Sequence, residues 1–126
     1  MIGRKATLML VGATAFAVAP ATLASGATKT TKGKTRKVGV HDNYYAPSKL
    51  TVHVGDSVDW TWGDDVEDVH DVSLKSAPKG VKKFHSDPLA AGDDFKRKLT
   101  KPGTYKIICT FHEEEMKMTI TVKKKP

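Results

Sequence analysis

The sequence predicts an all-β fold, and three observations carry that prediction. Beyond the first few dozen residues, apolar side chains alternate with polar ones at period two, no stretch sustains a helical stripe, and turn signals recur at intervals expected of a β-sandwich. The chain has 126 residues, room for one domain with a core that needs no disulfide staples. A single cysteine, Cys109, excludes an internal disulfide, a disulfide-framed miniprotein and a Cys-rich zinc module.

The N-terminal residues read as an address. Arg4 and Lys5 precede Ala6 to Ala19, an apolar, uncharged run that ends at Pro20 and a series of small residues. This is the pattern of a secretory signal peptide, residues 1–27, cut near 24 or 27. An uncleaved membrane anchor is the competing reading, but the run is short and Ala-rich for a span. Cys109 lies too far from the leader to make a lipoprotein. Export to the periplasm, cell envelope or exterior is therefore expected.

Residues 28–37 (TKTTKGKTRK) hold five basic residues and neither acidic nor apolar ones, so they are expected to form a flexible linker. Residues 123–126 form a second basic tail. Both read as solvated ends, or as weak contacts to an anionic cell envelope. The overall charge is +7, yet residues 38–122 hold 11 basic residues against all 14 acidic ones, a net of −3. A nucleic-acid face needs clustered Lys and Arg on the folded body, so nucleic acid is not an expected partner.

Within the body, Leu50, Val52 and Val54 alternate with Thr51 and His53, Gly55 and Asp56 turn the chain, and Val58, Trp60 and Trp62 alternate with Asp59 and Thr61. The pattern predicts a hairpin of two half-buried strands. The segment from Ser76 to Pro88 has no clear period and reads as irregular or a short helix. Phe95 and Leu99 mark another strand, and Pro102 with Gly103 a turn. Tyr105, Ile107 and Cys109 then share one strand face, and Met118, Ile120 and Val122 mark the last strand.

The chemistry gathers after the penultimate strand, in CTFHEEEM from Cys109 to Met116. One loop brings together a thiolate, the imidazole of His112 and the thioether of Met116. A Cys and two His in a plane with a weak axial Met suit copper, whereas structural zinc sites favour more thiolates and no thioether. The second imidazole must come from elsewhere, and His70, 39 residues before Cys109, can reach across a sandwich. His53 has outward parity, and His41 and His85 lie in loop-like segments. Each ligand also has a bland reading: a buried small hydrophobe for Cys109, a packed ring for His70 or His112, core filling for Met116.

With these landmarks in order, the chain resembles the cupredoxins, the blue copper proteins, and in particular their plastocyanin-like and amicyanin-like forms. NYYAPSKLTVHVGDSVDWTW resembles the opening strands, VHDV the first-ligand segment, and PGTYKIICTFHEEEMKMTITV the closing ligand loop. The resemblance covers residues 38–122 and implies a Greek-key β-sandwich with one mononuclear type 1 copper, ligated by His70, Cys109, His112 and Met116. Three features depart from the pattern. Glu113 to Glu115 make the stretch between His112 and Met116 intermediate in length, which leaves Met118 as a competitor for the axial place. Asp71 follows the first His where an Asn is common; an ionised carboxylate accepts hydrogen bonds and cannot donate, so its brace must use a donor such as a backbone N–H. Acidic rather than apolar side chains surround the second His, which implies a redox partner with a basic docking face.

The function expected from this reading is that of an exported carrier of single electrons, and not an enzyme, because no acid/base pair, nucleophile or second copper motif accompanies the ligands. Two alternatives stand beside it. Copper storage, delivery or resistance is favoured by the acidic residues Asp64, Asp65, Glu67, Asp68 and Glu113 to Glu115. A metal-free adhesion or accessory sandwich is favoured if the altered loop lacks an axial ligand.

Overall fold

A computed structural model describes residues Gly33–Lys125. The signal-peptide reading and the start of the linker lie outside the described residues. The elements are β1 (Thr35–His41), β2 (Tyr44–Ala46), β3 (Lys49–His53), β4 (Ser57–Trp62), β5 (Ser73–Ser76), β6 (Asp94–Lys98), β7 (Gly103–Ile108) and β8 (Lys117–Lys123). They form two four-stranded sheets in the orders β2-β1-β4-β6 and β3-β8-β7-β5, with the chain crossing between sheets as in a Greek-key sandwich. Among the described residues no helix is long and apolar enough to cross a membrane.

Period-two patterning explains which faces meet. Val38 and Val40 of β1 and Val58, Trp60 and Trp62 of β4 face Tyr105 and Ile107 of β7 and Met118, Ile120 and Val122 of β8, all buried. Burying each such aliphatic side chain contributes about 1.5–3 kcal/mol. Trp60 lies at the centre, tilted against Phe95 at 5.9 Å and Phe84 at 6.5 Å. Its Nε1–H donates to Met118 Sδ at 3.3 Å, joining the two sheets.

The structure corrects four expectations. The strands either side of Gly55 and Asp56 do not pair as a hairpin: β3 runs parallel to β8, and β4 lies between β1 and β6. The turn instead carries the chain from one sheet to the other, because both strands have the same inward parity and each buries its apolar face against the opposite layer. Gly55 takes a φ of 97° in this turn, a conformation that glycine adopts without strain. Asp56 accepts from the N–H groups of Lys34 and His53, both at 2.9 Å; burial opposes its charge, but those bonds prevail and hold its carboxyl below the usual range.

Thr35, Arg36 and Lys37 are not linker but the first residues of β1, in register with Ser57, Val58 and Asp59. Their side chains remain exposed, so the backbone ladder orders them without burial. Lys123 likewise closes β8 and is paired with His53. His41 ends β1 and stacks on Tyr44 at 4.6 Å, outside any loop. The stretch from Ser76 to Pro88 is irregular, with an isolated bridge between Ser73 and His85.

Candidate metal centre

Strand direction puts the chemistry at one end of the sandwich. β7 delivers Cys109 immediately past Ile108, and β8 returns the chain at Lys117. The loop between them is closed by its own backbone: Cys109 N donates to Met116 O at 3.0 Å, His112 N to Cys109 O at 3.1 Å, and Met116 N to His112 O at 2.9 Å. His70 arrives from the long connection after β4 and is anchored by reciprocal backbone bonds with Leu89, at 3.1 and 2.9 Å.

Three ligand atoms therefore converge. His70 Nδ1 and His112 Nδ1 each lie 3.8 Å from Cys109 Sγ, and the candidate donor atoms of the three residues all lie within 4.8 Å of one another. Metal–ligand bonds of roughly 2.0–2.3 Å put donors in one plane roughly 3.5–4 Å apart, which both sulfur–nitrogen separations match, so a single ion fits beside the sulfur with a small approach of the two rings. One soft sulfur and two imidazoles suit copper better than magnesium or calcium, which prefer oxygen. His70, Cys109 and Met116 are fully buried and His112 is half-buried, which leaves the His112 ring as the ligand nearest to solvent. Burial pushes the Cys109 thiol up.

Outer partners set the ligands. His70 Nε2 lies 2.8 Å from Asp42 Oδ1; with Nε2–H donating there, Nδ1 keeps its lone pair for a metal. Asp42 also accepts from Glu67 N at 2.9 Å and Asp68 N at 3.0 Å. Those backbone bonds, followed by His70, hold its carboxyl down at about 2. Asp71 braces the loop from the other side as an acceptor, taking Thr110 N at 2.7 Å and Thr110 Oγ1 at 2.6 Å. Tyr45, whose phenol is pushed strongly up by burial, donates to the Asp71 carbonyl at 2.7 Å.

The structure brings His70, Cys109 and His112 together, with Met116 buried at the end of the same loop. Met118 lies on β8 opposite Ile107, its sulfur engaged by Trp60. His53 and His85 are exposed. Sequence reasoning missed Asp42, because a lone acid in a turn announces no partner. It also missed an apolar component beside the acids: Phe111, next to His112, is 54% exposed and Val69, next to His70, 45%.

Comparison with known proteins agrees with this geometry. The family described as copper binding proteins, plastocyanin/azurin family, matches residues 34–123. No curated protein sequence matches the chain. Among solved structures, a purple cupredoxin from Nitrosopumilus maritimus is 27% identical, covering 70% of this chain and 99% of that one, with a TM-score of 0.58. A copper-containing nitrite reductase from Thermus scotoductus is 27% identical with a TM-score of 0.64; the match covers 82% of this chain but only 25% of the reductase. Amicyanin from Paracoccus versutus shares the fold, with a TM-score of 0.61, 22% identity, and coverage of 74% of this chain and 85% of that one. The all-β sandwich, the convergent His-Cys-His donors and the span of the family match together establish that the chain belongs to the copper-binding proteins of the plastocyanin/azurin family.

Proposed function

We propose that the chain is an exported electron carrier, with one type 1 copper held by Cys109 Sγ, His70 Nδ1 and His112 Nδ1 and with Met116 as the weak axial ligand. The observation that carries this reading is the convergence of two imidazole nitrogens on one thiol sulfur, each 3.8 Å from it and all three within 4.8 Å of one another. Bound copper supplies a one-electron Cu(II)/Cu(I) couple. The chain's part is to hold the donors in nearly one arrangement for both states. The closed backbone of the loop, the Asp71 brace and the Asp42 bond to His70 all resist rearrangement. Burial of Cys109 excludes water from the sulfur, and the half-buried His112 ring provides an edge for electron exit.

The axial assignment is supported by the Trp60 N–H bond to Met118 Sδ, which occupies that sulfur inside the core, while Met116 closes the ligand loop. A carrier rather than an enzyme is favoured because, among the described residues, the metal-ligating side chains that converge are the one set His70, Cys109 and His112. Phe111 and Val69 supply an apolar centre for a redox partner, and the exposed acids Asp64, Asp65, Glu67 and Asp68 beside Val69 favour a basic rim on that partner, whereas Glu113 is paired with Lys75. The test is a Cu(II) titration followed by visible spectroscopy and voltammetry. An intense thiolate-to-copper band with reversible one-electron cycling is expected. Tight binding without the band would replace the carrier reading with copper storage or delivery.

A further inference from the structure

Strand registers divide the sandwich into two ends of opposite charge. β1, β4, β6, β7, β3 and β8 meet one end at Thr35, Ser57, Lys98, Gly103, His53 and Lys123. Exposed Lys34, Arg36, Lys98, Lys101, Lys123 and Lys124 gather there. The Lys125 side chain runs beside Gly55, its Cε 3.5 Å from where a Cβ on that glycine would stand, which puts the C-terminal residues at the same end. The carboxylate in that turn, Asp56, is 6% exposed and spent on backbone N–H groups. At the other end, roughly 20 Å away along a seven-residue strand, lie the metal donors and the exposed acids of the 63–69 and 113–115 loops, which outnumber the lysines there, Lys75, paired with Glu113, and Lys117.

We infer that the basic end, formed by Lys34, Arg36, Lys98, Lys101, Lys123 and Lys124, docks the domain on an anionic lipid bilayer. Two observations favour a bilayer over an acidic protein. Protein interfaces need a buried apolar or aromatic centre, and the large apolar side chains exposed among the described residues, Tyr44, Val69 and Phe111, belong to strand ends and loops on the metal side. The basic end offers flexible cations spread over several strand ends and turns, which suits a diffuse layer of headgroup charge. The chain also enters the domain at this end, through Gly33 and Lys34, and the sequence just before it, residues 28–32, carries two further lysines and no acid. Docking so oriented leaves the metal end facing the aqueous side; that consequence rests on the carrier reading, while the docking does not.

The experiment uses the full, metal-free chain and vesicles of phosphatidylcholine alone or with phosphatidylglycerol. The ratio of the two partition coefficients cancels any apolar contribution and reads charge. Each cation near an anionic leaflet contributes about fivefold, so Lys98→Gln, Lys101→Gln and Lys123→Gln combined should lower the ratio on the order of a hundredfold. The same number of exposed lysines removed elsewhere, Lys49→Gln, Lys106→Gln and Lys117→Gln, should lower it much less. Should the first combination lose its β-sheet spectrum, Lys123→Gln with Lys124→Gln reads the same effect at about twenty-five-fold. Equal losses in the two sets, no preference of the parent chain for anionic vesicles, or tighter binding to soluble polyphosphate than to vesicles at equal phosphate would each overturn the inference. Because no copper is present, the outcome is independent of the carrier reading, and a failed copper titration leaves it standing.

Discussion

Replacing Asp71 tests how the metal loop is held. Asp71 is 7% exposed, and its two oxygens accept from Thr110 N at 2.7 Å and Thr110 Oγ1 at 2.6 Å. Hydrogen bonds to a charged acceptor contribute about 1.5–3 kcal/mol each, so Asp71→Ala forfeits roughly 3–6 kcal/mol. Part of this is recovered, because burying an ionised carboxylate costs free energy that alanine does not incur. The Tyr45 bond goes to the Asp71 carbonyl and survives. The net loss should be about 2–3 kcal/mol, or roughly 10–20 °C in Tm for a domain of this size. Asp71→Asn behaves differently: its oxygen can still accept from Thr110 N, and its NH₂ can donate to the Thr110 hydroxyl, which rotates to accept. That variant should lose less than about 1 kcal/mol. Urea unfolding of the metal-free protein gives the two values, and the dissociation rate of loaded copper reports the loop, since Thr110 adjoins Cys109. If Ala and Asn variants unfold at the same urea concentration, the Asp71–Thr110 brace does not hold the loop.

Four further outcomes are expected. Met118→Ala should cost about 2–5 kcal/mol by opening a cavity and stranding the Trp60 N–H, with the thiolate-to-copper band unmoved, whereas Met116→Ala should shift both band and potential; a band moved by Met118→Ala alone would reverse the axial assignment. Cys109→Ala should abolish the band yet retain the β-sheet spectrum, since the loss is one small buried group. Burial raises the Cys109 thiol, so that thiol favours folding while the unfolded thiol is protonated, and the advantage is lost as pH rises past about 8.5; metal-free unfolding measured from pH 7 to 10 should show a decline that Cys109→Ala reduces. Asp42 is held at about 2 against an ordinary 3.8, so its contribution is complete above the ordinary value and fades as pH falls toward 2; the stability gap between the parent chain and Asp42→Asn should close over that window, and a gap independent of pH would show that Asp42 does not act through its charge.

Much of the site was legible because its signals are short. Cys109, His112 and Met116 fall within one loop after a strand whose parity is plain, and the same reasoning anticipated that Asp71 would have to accept from a donor. The basic linker misled at Thr35 to Lys37, since composition reports burial and those residues are ordered by a backbone ladder that needs none. The acidic surroundings of His112 were visible, but the exposure of Phe111 and Val69 was not, because an apolar residue in a loop reads equally well as core.

The order of amino acids by itself determined the period-two alternation, the turns, the inward parity of Tyr105, Ile107 and Cys109, and the spacing of the ligand loop, all of which arise between near neighbours in the chain. Tertiary structure decided that β3 and β4 part company across Gly55, that Asp42 sets the His70 ring, that Trp60 occupies the Met118 sulfur, and that the charges separate to opposite ends. Those outcomes depend on strand partners and contacts between residues tens of positions apart, and hydrophobic alternation specifies which face is buried without specifying against what.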